Sequence, residues 1–330
     1  EYPDPEPDQV LVKLFSSGVC HSQLHQIHSR ETHTPILLGH EATGIVEAKG
    51  KGVTHVKEGD HVIVTWVPRD AKPGMSPAPQ ASINWGGKPF TQPGVFTWAQ
   101  HCLVAERYVV PIPKSVATDV TSIIGCAILT GAGAVINTAK VQRGESVAVF
   151  GVGGVGMSAI QAAANVGANP IIAVDLDDEK LAFAKRFGAT HGVNSSKVNA
   201  IEEIIALTNG GVDYAFDAIG VPQTQEQILL ATRPGILGYG DGGMSVLIGI
   251  PQTQVSFDMR LAVRGQKIYR GSWGGNTRPE RDFPMYIDWF QGGKLPLNEL
   301  VTQRYKLEQI NEAVRDLEQG KIFGRSIIEF

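Results

Sequence analysis

Val147-Ala-Val-Phe-Gly-Val-Gly-Gly-Val-Gly156, followed by an alanine-rich run to Val166, is the stretch whose reading decides the fold. Four consecutive apolar residues predict a strand buried on both faces. The next six complete G-x-G-x-x-G. Gly151 allows a tight turn, Gly153 lets backbone approach a pyrophosphate, and Gly156 lets a helix pack close to the strand. A helix starting here aims free N–H groups and its positive dipole end at phosphate, so Gly154 and Val155 join the candidate site. The next strand-like run, Ile171-Ile-Ala-Val174, closes on Asp175, near the roughly 20-residue spacing of the acid that binds ribose. A carboxylate there accepts both adenosine ribose hydroxyls and repels a 2′-phosphate, so NAD is expected rather than NADP. The bland alternative, a structural turn beside a surface aspartate, leaves the strand, helix and acid context unexplained. The rest of the acidic run to Glu179 is expected to be a solvated helix start.

Around this stretch the chain alternates. Glu179 to Phe187 predicts a helix, and Tyr214-Ala-Phe216 and Val246-Leu-Ile-Gly249 predict further strands. That is the rhythm of a Rossmann-type α/β domain, a doubly wound parallel sheet with helices on both faces. Before about Ala127 the texture differs. Gln9 to Phe15, Gly44 to Glu47 and His61 to Val64 read as short strands between glycine-rich turns. Val67 to Gly94, rich in proline and glycine, reads as a long loop. After about Pro279 the pattern is mixed and ends on a strand at Ser326 to Phe330.

At 330 residues the chain is long for one core and suits two domains. A net charge of −4 without a basic block argues against nucleic acid or an anionic membrane as partner. No stretch approaches the roughly 20 apolar residues of a spanning helix. Three cysteines cannot build a disulfide framework, and Glu1 to Asp8 has neither the basic start nor the apolar core of a signal peptide. A cytoplasmic protein is expected.

Three further segments suggest a metal: Ser17-Gly-Val-Cys-His-Ser22, Leu38-Gly-His-Glu41 and Ile124-Gly-Cys126. Each alone is bland, since a free cysteine usually behaves as a small hydrophobe. Two cysteines and one histidine are nevertheless a known open set for catalytic zinc, with a fourth position left for water or substrate. With Gly59-Asp-His-Val62, Thr130-Gly131, the glycine turn and Asp175, in that order over essentially the whole chain, they resemble the zinc-containing medium-chain alcohol dehydrogenases.

The resemblance implies an NAD-linked, zinc-dependent enzyme that moves a hydride between an alcohol and a nicotinamide, giving an aldehyde or ketone reversibly. It implies a split, mainly β catalytic domain with a partly open barrel core, using roughly 1–126 and 277–330. The NAD domain would use roughly 127–276, with the active site in the cleft between. Cys20, His40 and Cys126 would hold zinc. Glu41 would be the buried carboxylate behind it, Ser22 the hydroxyl that takes the substrate proton, and His25 the outer end of a relay. His21 would lie near the pyrophosphate, Thr130 near the nicotinamide, Lys180 near the adenosine ribose, and Arg325 near the cofactor phosphates. Trp66 would line the substrate pocket. A homo-oligomer, dimer or tetramer, is expected, and the family's usual first strand would lie before Glu1, so the chain looks trimmed at its start.

Two departures qualify the match. Relatives often carry a four-cysteine lobe with a second, structural zinc; residues 67–97 hold no cysteine, so one catalytic zinc per chain is expected. Gln23 stands where an aspartate usually bonds the ligating histidine, which lends less charge to the metal's surroundings. Cys102 reads as packing, histidines 28, 33, 55, 61, 101 and 191 as solvated or hydrogen-bonded, and Trp85, Trp98 and Trp273 as hints of an apolar pocket. Two other readings stay open: a zinc-free quinone or enone reductase of the same superfamily, and a nucleotide-binding structural protein without turnover.

Overall fold

The computed structural model describes residues 2–28, 36–72, 81–85, 88–92 and 94–330, the two pieces between 81 and 92 by backbone alone. The chain forms two compact units, Glu1–Ala127 with Arg278–Phe330, and Ile128–Thr277.

The first unit is built around β1 (Gln9–Val19), which pairs antiparallel along one edge with β2 (Glu41–Lys49). β2 continues to β3 (His61–Thr65). A hairpin, β4 (Ala81–Trp85) and β5 (Lys88–Gln92), stands in the stretch read from sequence as one long loop. The missed signal is Gly86-Gly87, a pair suited to a two-residue hairpin turn, between two alternating runs. Pro89 is tolerated because every strand of a two-stranded sheet is an edge. His33 and the side chain of Trp85 lie outside the described residues.

The other edge of β1 is shared. β6 (His101–Ala105) pairs with Gln9 to Lys13, and β7 (Val109–Ile112) closes on β3. The core between these strands holds Val10, Val12, Leu14, Val46, Val62 and Cys102. Burial pushes the Cys102 thiol up to about 12, as fits a packing residue.

The second unit carries β8 (Val147–Phe150), β9 (Ile171–Asp175), β10 (His191–Asn194), β11 (Tyr214–Asp217), β12 (Met244–Leu247) and β13 (Ile268–Gly271). All five pairings are parallel, in the order β10-β9-β8-β11-β12-β13. This is the doubly wound order, and its direction reverses between β8 and β11, the place where such sheets bind ligands. Ala148, Phe150, Ile172, Val174, Ala215 and Ile228 form its core.

The chain then returns to the first unit with β14 (Val301–Lys306) and β15 (Arg325–Glu329). β15 takes the second half of the free edge of β1, pairing Ser16 with Glu329 and Val19 with Ser326. The resulting path runs β14-β15-β1-β2-β3-β7, mainly antiparallel and open at its ends. Sequence patterning ends β1 at Ser16-Ser-Gly18; the structure keeps these residues in the strand and carries it to Val19 because the far end of the chain supplies a partner. No helix among the described residues is long and apolar enough to cross a membrane.

Candidate functional site

Antiparallel pairing brings the ends of distant segments together. The last residues of β1 lie beside the first residues of both β2 and β15. Cys20 follows β1, His40 and Glu41 sit at the start of β2, and Arg325 opens β15. Glu41 is also opposite Thr65, so Trp66 follows at the same end. A buried 3-10 segment, Val120–Gly125, delivers Cys126, and the Thr65 hydroxyl donates to the Gly125 carbonyl at 2.7 Å.

One ligand atom each from Cys20, His40, Glu41 and Cys126 lie within 4.8 Å of one another. The two sulfurs are 3.9 Å apart, and His40 Nε2 is 3.2 Å from Cys126 Sγ. Two thiolates bound to one tetrahedral zinc at about 2.3 Å stand roughly 3.8 Å apart, so this donor set fits the ion. The Cys126 sulfur beside it holds the Cys20 thiol well below its ordinary range, with help from Arg325 and His40 and against the effect of burial. That favours the thiolate, the form that ligates metal.

Glu41 is fully buried. Its Oε1 is paired with the Arg325 guanidinium, and its Oε2 accepts the Ala127 N–H at 3.3 Å. The sequence reading did not name this partner for Arg325. Ser22 donates to Cys20 Sγ at 3.3 Å. It opens the short helix Ser22–His28, on which His25 lies one turn further, its ring centroid 5.5 Å from that of His21. The Trp66 ring stands nearly perpendicular to that of His40, 6.5 Å away. Gln23 is buried, donates to Gln26 at 2.9 Å, and its carbonyl oxygen has no donor among the described residues.

The second unit holds the glycine turn. Gly151 takes φ +84°, a left-handed backbone that favours glycine. A Cβ at Gly156 would lie 3.0 Å from the Gly151 carbonyl carbon and nearer still to its oxygen, whereas one at Gly153 would meet nothing within 4 Å. The turn is thus tight against its helix and open above Gly153, a cradle suited to a pyrophosphate. The helix Gly154–Val166 has no side-chain cap and no acid in its first turn, which suits an anion. Asp175 Oδ2 accepts the Val152 N–H at 2.9 Å and Oδ1 accepts the Leu176 N–H at 2.8 Å, so backbone bonds pin the carboxylate to the turn. Lys180 lies on the helix Asp178–Arg186, whose cap is Asp177. The Thr130 hydroxyl is buried without a partner among the described residues.

Sequence reasoning missed an apolar rim on the parallel sheet. Ile219 and Val221 follow β11 and Ile250 follows β12, each more than a third exposed. A Cβ at Gly151 would lie 2.9 Å from Ile219 Cδ1, so that side chain overhangs the turn and offers a flat ring an apolar face. The signal was positional: each residue comes just after the carboxyl end of a strand. Trp273 follows β13 and is 70% exposed. Trp98 instead packs with Val19, Tyr305 and Ile328 and donates to the Gly18 carbonyl at 3.2 Å. His28, His55 and His101 face Glu318, Glu106 and Glu47, the bland roles expected of them.

Residues 6–114 match the family model described as an alcohol dehydrogenase GroES-like domain, and residues 154–292 the one described as a zinc-binding dehydrogenase. An S-(hydroxymethyl)glutathione dehydrogenase of Komagataella pastoris is 32% identical over 345 residues, covering 96% of this chain and 89% of its own. A class-3 alcohol dehydrogenase of Cereibacter sphaeroides is 31% identical over 360 residues, covering 99% and 94%. Among solved structures, benzyl alcohol dehydrogenase from Acinetobacter calcoaceticus superposes with a TM-score of 0.89 at 32% identity, over 100% of this chain and 94% of that one. With that identity held over nearly its full length, the chain belongs to the zinc-containing medium-chain alcohol dehydrogenase family.

Proposed function

We propose that the chain is an NAD-linked, zinc-dependent alcohol dehydrogenase, interconverting an alcohol with its aldehyde or ketone. The observation that carries this is the group of two cysteine sulfurs and an imidazole with a buried carboxylate already tied elsewhere, which leaves one ligand position free. Cys20, His40 and Cys126 would hold zinc. When bound, zinc supplies Lewis acidity that eases loss of the alcohol's proton, and NAD supplies the hydride acceptor.

The chain's own residues do the rest. Ser22, which donates to Cys20 Sγ in this structure, would take the substrate proton on a lone pair while its own hydroxyl hydrogen turns from the sulfur and passes onward. His25, one turn along, is the outer end of that path toward solvent. Trp66, edge-on to His40, walls the pocket with apolar surface and disfavours water beside the reacting carbon. The glycine turn and its helix would hold the pyrophosphate, Asp175 would orient the ribose, and Ile219 beside the turn would offer the cofactor an apolar face.

Only three cysteines are present and the ligand set uses two of them, so one zinc per chain is expected. The intact ligand set disfavours a zinc-free reductase. Elemental analysis combined with a panel of primary, secondary and aromatic alcohols, read by NADH absorbance with NAD and NADP, tests the reading. One zinc and NAD-preferring turnover support it; metal-free protein that reduces quinones would overturn it.

A further inference from the structure

Cys20 and His40 arrive on separate segments, and the pair Thr97-Trp98 is bonded to both. The Thr97 and Trp98 backbone N–H groups donate to the Leu38 carbonyl at 3.0 and 2.9 Å, two residues before His40. The Trp98 indole N–H donates to the Gly18 carbonyl at 3.2 Å, two residues before Cys20. The Thr97 and Ser17 hydroxyls lie 2.8 Å apart, and they reach the Glu41 carbonyl at 3.3 and 3.0 Å. Thr97, Ser17 and Glu41 are fully buried, so a bond lost here leaves a polar group unsatisfied. Gly39 is fitted to the same pair. It takes φ +90°, and a Cβ there would lie 2.5 Å from Thr97 Oγ1 and 2.6 Å from Trp98 N. Only glycine meets both the backbone angle and the space, so the turn that carries His40 is pressed onto Thr97-Trp98. Cys126 is reached separately, through Thr65 and the Gly125 carbonyl.

We propose that Thr97 and Trp98 are positioning residues that fix the separation of Cys20 and His40 and so set how tightly the site holds its metal. The inference rests on the zinc reading above. The ladder between β1 and β2 makes its last pair at Ser17 and Ala42, before either ligand is reached. Beyond that end the two segments are joined through Thr97-Trp98. Zinc–ligand distances hold to within about 0.2 Å, a tolerance that two free strand ends do not keep by themselves. With the segments already joined, less ordering is left for the ion to impose, and affinity rises.

Metal affinity tests this without turnover. Thr97→Val keeps the shape and removes the hydroxyl, Thr97→Ser keeps the hydroxyl, and Trp98→Phe keeps a ring and removes the indole N–H. Zinc affinity, measured by competition with a chromophoric chelator, falls by about tenfold in Thr97→Val and in Trp98→Phe. Thr97→Ser stays close to wild type. In cobalt-substituted protein the visible bands, which report ligand geometry, shift in Thr97→Val and return in Thr97→Ser. A residue that merely packs would lower the denaturation midpoint and leave zinc affinity and the cobalt bands at their wild-type values. That result overturns the proposal, as does a Thr97→Ser that gives up zinc as readily as Thr97→Val. Trp98→Phe decides the question if Thr97→Val does not fold. Wild type that binds no zinc overturns the zinc reading, and the proposal with it.

Discussion

The cofactor turn and the metal group are assembled in opposite ways. The turn, its helix and the acid that serves it are one continuous β-α-β stretch, Val147 to Asp175, and its hydrogen bonds join near neighbours such as Val152 and Asp175. The metal group draws on Cys20, His40, Glu41 and Cys126, with Arg325 arriving from the far end of the chain. A local device depends on turn geometry that glycines set, whereas a dispersed one depends on strand register and on buried charges that must stay paired. The two should fail differently when residues are changed.

The largest separation is expected at the ligands. Cys20→Ala or Cys126→Ala should release zinc and cut turnover by about a thousandfold or more, the several kcal/mol a Lewis acid contributes. NAD binding, followed by fluorescence titration, should stay close to wild type. If metal loss abolished NAD binding as well, the two regions would not be independent devices.

Next comes the buried pair. Glu41→Ala leaves the Arg325 guanidinium buried without its carboxylate, and breaking such a pair costs about 3–5 kcal/mol. A denaturant midpoint unchanged from wild type would show that the pair does not hold the metal unit together. Asp175→Ser should act on the other region alone. Losing two ribose hydrogen bonds, each worth about 0.5–1.5 kcal/mol, should weaken NAD by roughly tenfold to a hundredfold. It should also relax the preference against NADP and leave zinc content untouched.

The smallest effect is expected at His25. His25→Gln should keep zinc and NAD and slow alcohol oxidation by about tenfold, at the lower edge of what a proton-transfer residue contributes. The loss should be greatest at low pH, where removing the alcohol's proton needs help, and should fade as pH rises or when a buffer base is added. An unchanged pH–rate profile would make His25 a surface histidine and end the proposed path.

Legibility in the sequence follows the same division. The glycine turn was readable because each of its requirements, a tight turn, a free helix end and a nearby acid, is met by residues in one short window. The candidate ligands were read from the family resemblance of their motifs and order, but nothing local announces that Glu41 is held by Arg325, since that contact depends on β1 pairing with β15 at one end of the chain and with β2 at the other. The same pairing carries β1 through Ser16-Ser-Gly18 to Val19 and places Gly18 against a carboxylate. Residues 81–92 show the opposite case, where a composition rich in glycine and proline hid an alternating pattern that a reading by period would have found.

By itself, then, the amino-acid order determined the parallel sheet and its glycine turn, and it pointed to an acid beside that turn and to three candidate ligands. Short-range periodicity and residue chemistry suffice for the sheet, the turn and the acid; the candidate ligands came from the family resemblance of their motifs. Only the tertiary structure decided that Arg325 belongs to the metal group, that Gly18 lies against the Glu41 carboxyl, and that Ile219 overhangs the glycine cradle. Those facts depend on which strand edges pair and where the side chains of separate segments come to rest, and packing between residues hundreds of positions apart has no signature in a single local window.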